Sequence, residues 1–230
     1  MAKVEKESEA PKLEAVEEAL TRTEQFIEKN QKVIIIAIAA VILVVGGYLA
    51  YKKFIVEENE KTAHAQMFTA ERYFEADSFK LALNGDGNAD GFLTIIEDYG
   101  GTKSANLAKY YAGLCYYKSG DYEAALNYLE DFSAKDKMLS SISQGVIGDV
   151  YSDKDDYEKA LKYYLKAADK NPNDFTSPLY LMKAARVYEF QKKYDKALEL
   201  YERIQKEYPR SNEGANIQKY IAKVKTITGK

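Results

Sequence analysis

The sequence predicts an all-α protein: a single N-terminal transmembrane helix, then an α-solenoid of helix-turn-helix repeats closed by a capping helix. Two observations carry this. One spacing recurs three times, as Tyr116, Tyr122, Ala125-Leu126; then Tyr151, Tyr157, Ala160-Leu161; then Tyr188, Tyr194, Ala197-Leu198. Identical internal offsets at a period of 35 and then 37 residues mean stacked helix pairs. The other observation is Val33 to Tyr51, 19 consecutive residues without a charge.

Residues 1-32 form a tail. Residues 1 to 10 are charged and poor in apolar side chains, a composition that does not pay for folding. From Pro11 to Asn30, Leu13, Val16, Leu20, Phe26 and Ile27 approximate one helical stripe among Glu and Lys. Two readings fit it: a helix docked on a partner or on the membrane surface, or an exposed helix that extends the span.

The transmembrane helix is placed at 33-55. Its uncharged core reaches roughly 28 Å at 1.5 Å per residue, close to a hydrocarbon thickness of about 30 Å. Eleven of the 19 residues are Val, Ile or Leu, and no polar face breaks the pattern as it does in a buried core helix. A cleaved signal peptide is disfavoured by the long acidic stretch ahead of it and by the lack of a small-x-small site before Lys52 and Lys53. Gly46 and Ala50 make a small-xxx-small pair, common by chance in apolar helices. Orientation is a tie, with Arg22, Lys29 and Lys32 on one side and Lys52, Lys53 and Lys61 on the other.

Residues 57-104 read as a degenerate first helical hairpin, with Thr62 to Leu83 as one helix and Phe92 to Tyr99 as the other. Between them Asp86, Asn88, Asp90, Gly91 and Glu97 satisfy the EF-hand pattern D-x-[DN]-x-[DN]-G-x5-E. Alternate oxygen ligands, a Gly for the turn and a bidentate Glu would suit calcium, so Asp86, Asn88, Asp90 and Glu97 are candidate metal ligands. Gly85 where an apolar helix end belongs, and Gly100-Gly101 after about two turns of exit helix, favour a polar connection instead.

Residues 105-230 hold three repeats, at about 106-140, 141-177 and 178-211, and a capping helix at 212-227. A small residue (Gly113, Gly148, Ala185) precedes the first Tyr of each by three, and Ala125, Ala160 and Ala197 follow it by nine. These let two antiparallel helices approach closely. Leu129, Tyr164 and Tyr201 fill the gap to the next hairpin, and Pro172 and Pro209 end second helices. Lys137 stands where the first repeat would have its proline, which predicts an irregular junction. Ile217, Tyr220, Ile221 and Val224 give the capping helix one apolar face, as a last repeat requires.

Composition excludes more than it assigns. A net charge of −3 offers no basic field for nucleic acid. Cys115 is the single cysteine and reads as a core thiol, and His64 is the single histidine. No nucleophile, base and orienting group assemble, so no enzyme or small-molecule substrate is expected; calcium is the one candidate cofactor, and a calcium-responsive membrane protein using the loop at 86-97 is the alternative reading.

At the repeat positions the chain resembles the tetratricopeptide repeat (TPR) family, whose pattern pairs a small residue with Tyr in helix A, and Ala with an aromatic in helix B before a closing Pro. The repeat frame then lines a concave groove with Leu107, Tyr110, Leu114, Tyr117 and Lys118; with Ile142, Asp149, Ser152 and Asp153; and with Leu179, Met182, Arg186, Glu189 and Phe190. Such a lining suits apolar or extended peptide, whereas the Lys/Asn/Arg cluster that clamps a C-terminal carboxylate in chaperone cofactors is replaced by Tyr110 and Leu114 at two of its positions. The layout of acidic tail, uncleaved span ending in Tyr-Leu-Ala-Tyr-Lys-Lys and TPRs resembles the YfgM-like ancillary subunits of the bacterial SecYEG translocon and related Bacteroidetes-type TPR proteins. That resemblance implies a single-pass inner-membrane protein with periplasmic TPRs and no catalytic activity. It also implies protein partners: the translocon, and a membrane-anchored periplasmic chaperone such as PpiD.

Overall fold

A computed structural model describes the backbone of residues 10–229 and the side chains of residue 24 and of residues 26–229. The described elements are helical, and the chain divides into two compact units, 1–58 and 59–230.

In the first unit α1 runs unbroken over Ala10–Tyr51 and passes into a π-helical segment, Lys52–Val56. The apolar side chains of the span stand exposed, Leu43 at 76%. A window of mean hydropathy 2.9 makes this helix long and apolar enough to cross a membrane. The unstructured stretch expected over residues 1 to 10 lies outside the described residues except for Ala10, which opens α1. Of the expected apolar stripe, the side chains of Leu13, Val16 and Leu20 lie outside the described ones, and Phe26 and Ile27 are exposed.

In the second unit come α2 (Glu57–Glu75), α3 (Phe79–Asn84), α4 (Phe92–Asp98), α5 (Lys103–Lys118), α6 (Tyr122–Asp131), α7 (Lys137–Asp153), α8 (Tyr157–Asp169), α9 (Thr176–Phe190), α10 (Tyr194–Glu207), α11 (Asn212–Ala215) and α12 (Ile217–Thr228). The repeated tyrosine explains where each A helix stops. Its carbonyl accepts the amide five residues on, as in Asp121 N to Tyr116 O at 2.9 Å, Asp156 N to Tyr151 O at 2.9 Å and Lys193 N to Tyr188 O at 2.8 Å. The residue before each of those amides has positive φ: Gly120 84°, Asp155 59°, Lys192 59°. This is the Schellman ending, and it turns the chain straight into helix B.

The same ending closes α2: Ser78 N reaches Tyr73 O at 2.8 Å, and Asp77 has φ 52°. The helix expected from Thr62 to Leu83 is therefore broken at Asp77, because a non-glycine residue in the left-handed region ends the helical ladder. Around the break the repeat pattern is complete. Ala70 lies three before Tyr73, Phe79 six after, and Ala82-Leu83 nine and ten after. The first hairpin is thus a fourth copy whose B helix is split into α3 and α4 by the loop 85–91.

Small residues set the helix separations. A Cβ on Gly113 would lie 2.6 Å from Leu129 Cγ, and one on Gly148 2.7 Å from the Tyr164 ring. Ala125, Ala160, Ala185 and Ala197 are fully buried. Between α6 and α7 the link Phe132–Asp136 is extended at both ends, and α7 begins at Lys137 rather than near 141, capped by Asp136 Oδ1 accepting from Leu139 N at 2.8 Å. The expected capping helix from 212 to 227 is interrupted at Asn216. Gly214 packs so tightly under Tyr208 that a Cβ would come within 2.1 Å of its carbonyl, which confines α11 to a single turn. After it Ile217, Ile221 and Val224 are buried against the core shared by α8, α9 and α10, with Tyr220 packed at its edge.

Candidate functional site: the concave face of the A helices

Helices α5, α7 and α9, followed by α12, present a row of three indentations. The first, about 390 Å³, lies between α5, the Phe132–Asp136 link and α7, bounded by Asn106, Leu107, Phe132 and Leu139. Another, about 360 Å³, lies between α7 and α9 and is lined by Asp149, Ser152, Tyr157, Tyr164, Lys183, Arg186, Val187 and Phe190. The third, about 250 Å³, lies between α9 and the α11–α12 segment, with Met182, Arg186, Glu213, Lys219 and Tyr220 in its walls.

Four of the sequence-predicted groove residues, Asp149, Ser152, Arg186 and Phe190, meet in the second indentation. Met182 borders the third, although its side chain is largely buried in the core of the last repeats. Tyr110 packs edge-on to Tyr111 and against Phe132, and burial pushes its phenol up to about 12. Leu114 is half-buried and lies outside these three indentations. Tyr117 donates to Asp153 Oδ2 at 2.8 Å and so ties α5 to α7, while exposed Lys118 rests 5.9 Å from the centre of the Tyr117 ring.

The three predicted acidic contacts are committed to the scaffold, Asp153 to Tyr117 and the other two as follows. Asp149 accepts from Tyr164 Oη at 2.7 Å, and both its oxygens lie 2.7 Å from Lys183 Nζ. Glu189 accepts from Tyr201 Oη at 2.8 Å and pairs with Lys223. Burial first, and then these carboxylates, push the Tyr164 and Tyr201 phenols far up, so both stay protonated donors. Lys183, Tyr157, Tyr164 and Tyr220 are site residues that the sequence reading missed. The signal for Lys183 and Tyr220 was a spacing: Asp149 to Lys183, Glu189 to Lys223, Asp169 to Arg203 and Arg186 to Tyr220 are each 34 residues apart. Each therefore ties one repeat to the next or to the closing helix α12.

The candidate calcium ligands do not assemble. Asp86 Oδ1 accepts from Asn88 N at 2.9 Å and Ala89 N at 2.8 Å, and its Oδ2 accepts from Tyr73 Oη at 2.8 Å. The Tyr73 bond foremost, with those backbone amides, holds the carboxyl below its usual range. Glu97 is exposed on α4, and among the described residues no three His, Cys, Asp or Glu side chains gather as a metal group. The spacing that mimics a calcium loop instead makes a closed connection. Gly91 sits where a Cβ would lie 2.3 Å from Leu83 O, and Gly85 adopts φ 78°. Burial likewise pushes the Cys115 thiol up to about 12, which keeps it an unreactive part of the core.

Comparison with known proteins agrees with this geometry. The family profile described as "Tetratricopeptide repeat-like domain" matches residues 24–170, and a second, "Tetratricopeptide repeat", matches residues 180–211. Among solved structures, the nearly identical TPR-like repeats assigned to a kinesin light chain of Podosopora anserina superpose with a TM-score of 0.56 at 16% identity, covering 74% of this chain and 88% of that one. A single-substitution variant of the same protein gives the same values. At that identity the likeness speaks for the fold alone. No curated protein matches the sequence.

Proposed function

The chain belongs to the tetratricopeptide repeat-like domain family, and on that premise we propose that it is a membrane-anchored interaction scaffold that holds a peptide-binding groove at a bacterial inner membrane. The observation that carries the reading is the row of indentations along the A helices, where half-buried tyrosines, Phe190 and few uncommitted charges suit an extended polypeptide. The anchor rests on α1. Apolar side chains left exposed along 19 uncharged residues are costly in water and favourable in hydrocarbon. The repeats lie in the periplasm, with SecYEG and a membrane-anchored chaperone as partners, and the protein assists translocation or envelope protein biogenesis without catalysis.

The test is a pair of topology reporters fused after Lys230, one active only in the periplasm and one only in the cytoplasm. Periplasmic activity is expected, and cytoplasmic activity overturns the location. Affinity purification in mild detergent should recover envelope or Sec components with the full chain; an eluate without membrane proteins removes the scaffold role.

A further inference from the structure

The charges around α9 are not equivalent. Lys183 is held by Asp149, Lys223 by Glu189, Arg203 by Asp169 and Glu207, and Lys225 by Glu202. Among the described residues Arg186 has no carboxylate partner; its polar contact there is Nη2 to Tyr220 Oη at 3.4 Å, and its guanidinium lies 5.9 Å from that ring's centre. Glu213, on the rim of the smaller indentation, makes no ion pair with it. Arg186 is exposed and borders both the 360 Å³ and the 250 Å³ indentations. One turn further along the same face, Phe190 stands 68% exposed beside Val187 and the Tyr157 ring.

A planar guanidinium without an acid is matched by a bidentate carboxylate. An exposed aromatic one helical turn away is matched by an apolar side chain from the same ligand. We propose that this stretch of the groove takes an extended peptide carrying an acidic side chain next to a large apolar one, the carboxylate on Arg186 and the apolar side chain against Phe190 and Val187. The proposal rests on the scaffold reading and names the ligand chemistry for it.

Fluorescence anisotropy on the full chain in detergent tests it with two amidated ten-residue probes. One has a central Leu-Phe-Asp-Glu block and the other has Leu-Phe-Asn-Gln. The acidic probe should bind at least about tenfold more tightly than its amide counterpart, as a charge-assisted contact implies. R186Q should erase that difference while the melting temperature stays unchanged, F190A should weaken both probes, and K162Q, at an exposed position on the B helix α8, should change neither. If both probes bind the wild type equally and R186Q moves neither, the acidic specificity is wrong and the scaffold reading stands. If neither probe binds at all, both this inference and the peptide-groove reading fall.

Discussion

The repeats before and after the Phe132–Asp136 link are built from one motif and joined by different means. From α7 onward, bonds recur at 34-residue intervals, and one buried cluster runs from Ala160 to Val224 without interruption. Ahead of the link a separate cluster spans α2 to α5, with Phe92 stacked 5.2 Å from Tyr111 at its centre, and a smaller one of Ala125, Leu126, Leu129, Ile147 and Val150 joins α6 to α7 across the link. In the first copy the split B helix lengthens the spacing to the next copy to 43 residues. A solenoid is stabilised by each repeat and by its contacts with the next, so a change in the spacing alters the contacts and leaves the repeat itself intact.

The sharpest way to break this comparison is to empty one core. Tyr201 is fully buried and bonded to Glu189, and Tyr201→Ala should cost about 3–5 kcal/mol. Hydrogen exchange should then lose protection over α8 to α12 while α2 to α5 keep theirs. Uniform loss along the chain would mean that the two clusters form one cooperative unit. Overpacking should do less. A Cβ on Gly145 would meet the Tyr180 ring at 1.9 Å, so Gly145→Ala should destabilise by about 1–3 kcal/mol. Tyr180→Leu in the same background should restore part of that; an unaltered denaturation midpoint in the single variant would show that α7 and α9 separate freely.

Much of this was legible because the repeat is local. The Tyr116, Tyr151 and Tyr188 frames follow from side-chain spacing, and each tyrosine stands at a helix end whose backbone geometry the turn residues dictate. Tyr73, Phe79 and Ala82-Leu83 obey the same spacing, but the next copy follows after 43 residues instead of 35, and the extra residues imitate a metal loop. A calcium pattern states which oxygens are available; whether they face a common point depends on the backbone, and here Tyr73 and two amides take Asp86 first. The groove was half legible. The frame places Asp149 and Glu189 on the A-helix face, yet the lysines that neutralise them lie 34 residues away, in the next turn of the solenoid. Arg186 differs in that its partner 34 residues on, Tyr220, carries no charge, and that difference is visible only once the pairs have been located.

Alkaline titration sharpens the comparison further. Burial raises the Tyr110 and Tyr163 phenols to about 12 and pushes Tyr117, Tyr164, Tyr180 and Tyr201 far up, two of the six on α5 and four in the later repeats. Unfolded tyrosines ionise near pH 10, so the folded chain keeps protons that the unfolded chain releases, and stability falls as pH rises from there. Below pH 10 the contribution is fully present. Above it, each fully buried tyrosine costs at most about 1.4 kcal/mol per pH unit until its folded value is reached. Thermal midpoints should hold between about pH 7 and 8, soften as the unfolded Cys115 thiol begins to ionise, and drop steeply above about 10, with the larger loss of hydrogen-exchange protection in α8 to α12, which carry four of these phenols against two on α5. A flat profile to about pH 11.5 would mean that these phenols are already solvated in the fold.

The smallest effect concerns how the earlier repeats compensate for their missing 34-residue bonds. Glu60 on α2 reaches the start of α5: its carboxylate accepts from Ser104 Oγ at 2.8 Å, Ser104 N at 3.2 Å and Lys103 N. A carboxylate there satisfies amides that have no partner within the helix and meets the positive end of its dipole. This one contact between A helices of consecutive repeats does the work that Asp149 and Lys183 do later, but it joins a helix end where they join two helix flanks. Glu60→Ala should cost about 1 kcal/mol and speed exchange at the Lys103 and Ser104 amides, while Thr102, whose Oγ1 accepts from Ala105 N at 3.0 Å, keeps the rest of the first turn intact. Faster exchange confined to those two amides would identify Glu60 as a local cap. Faster exchange along all of α5 would show instead that α2 is held on the solenoid chiefly through this carboxylate.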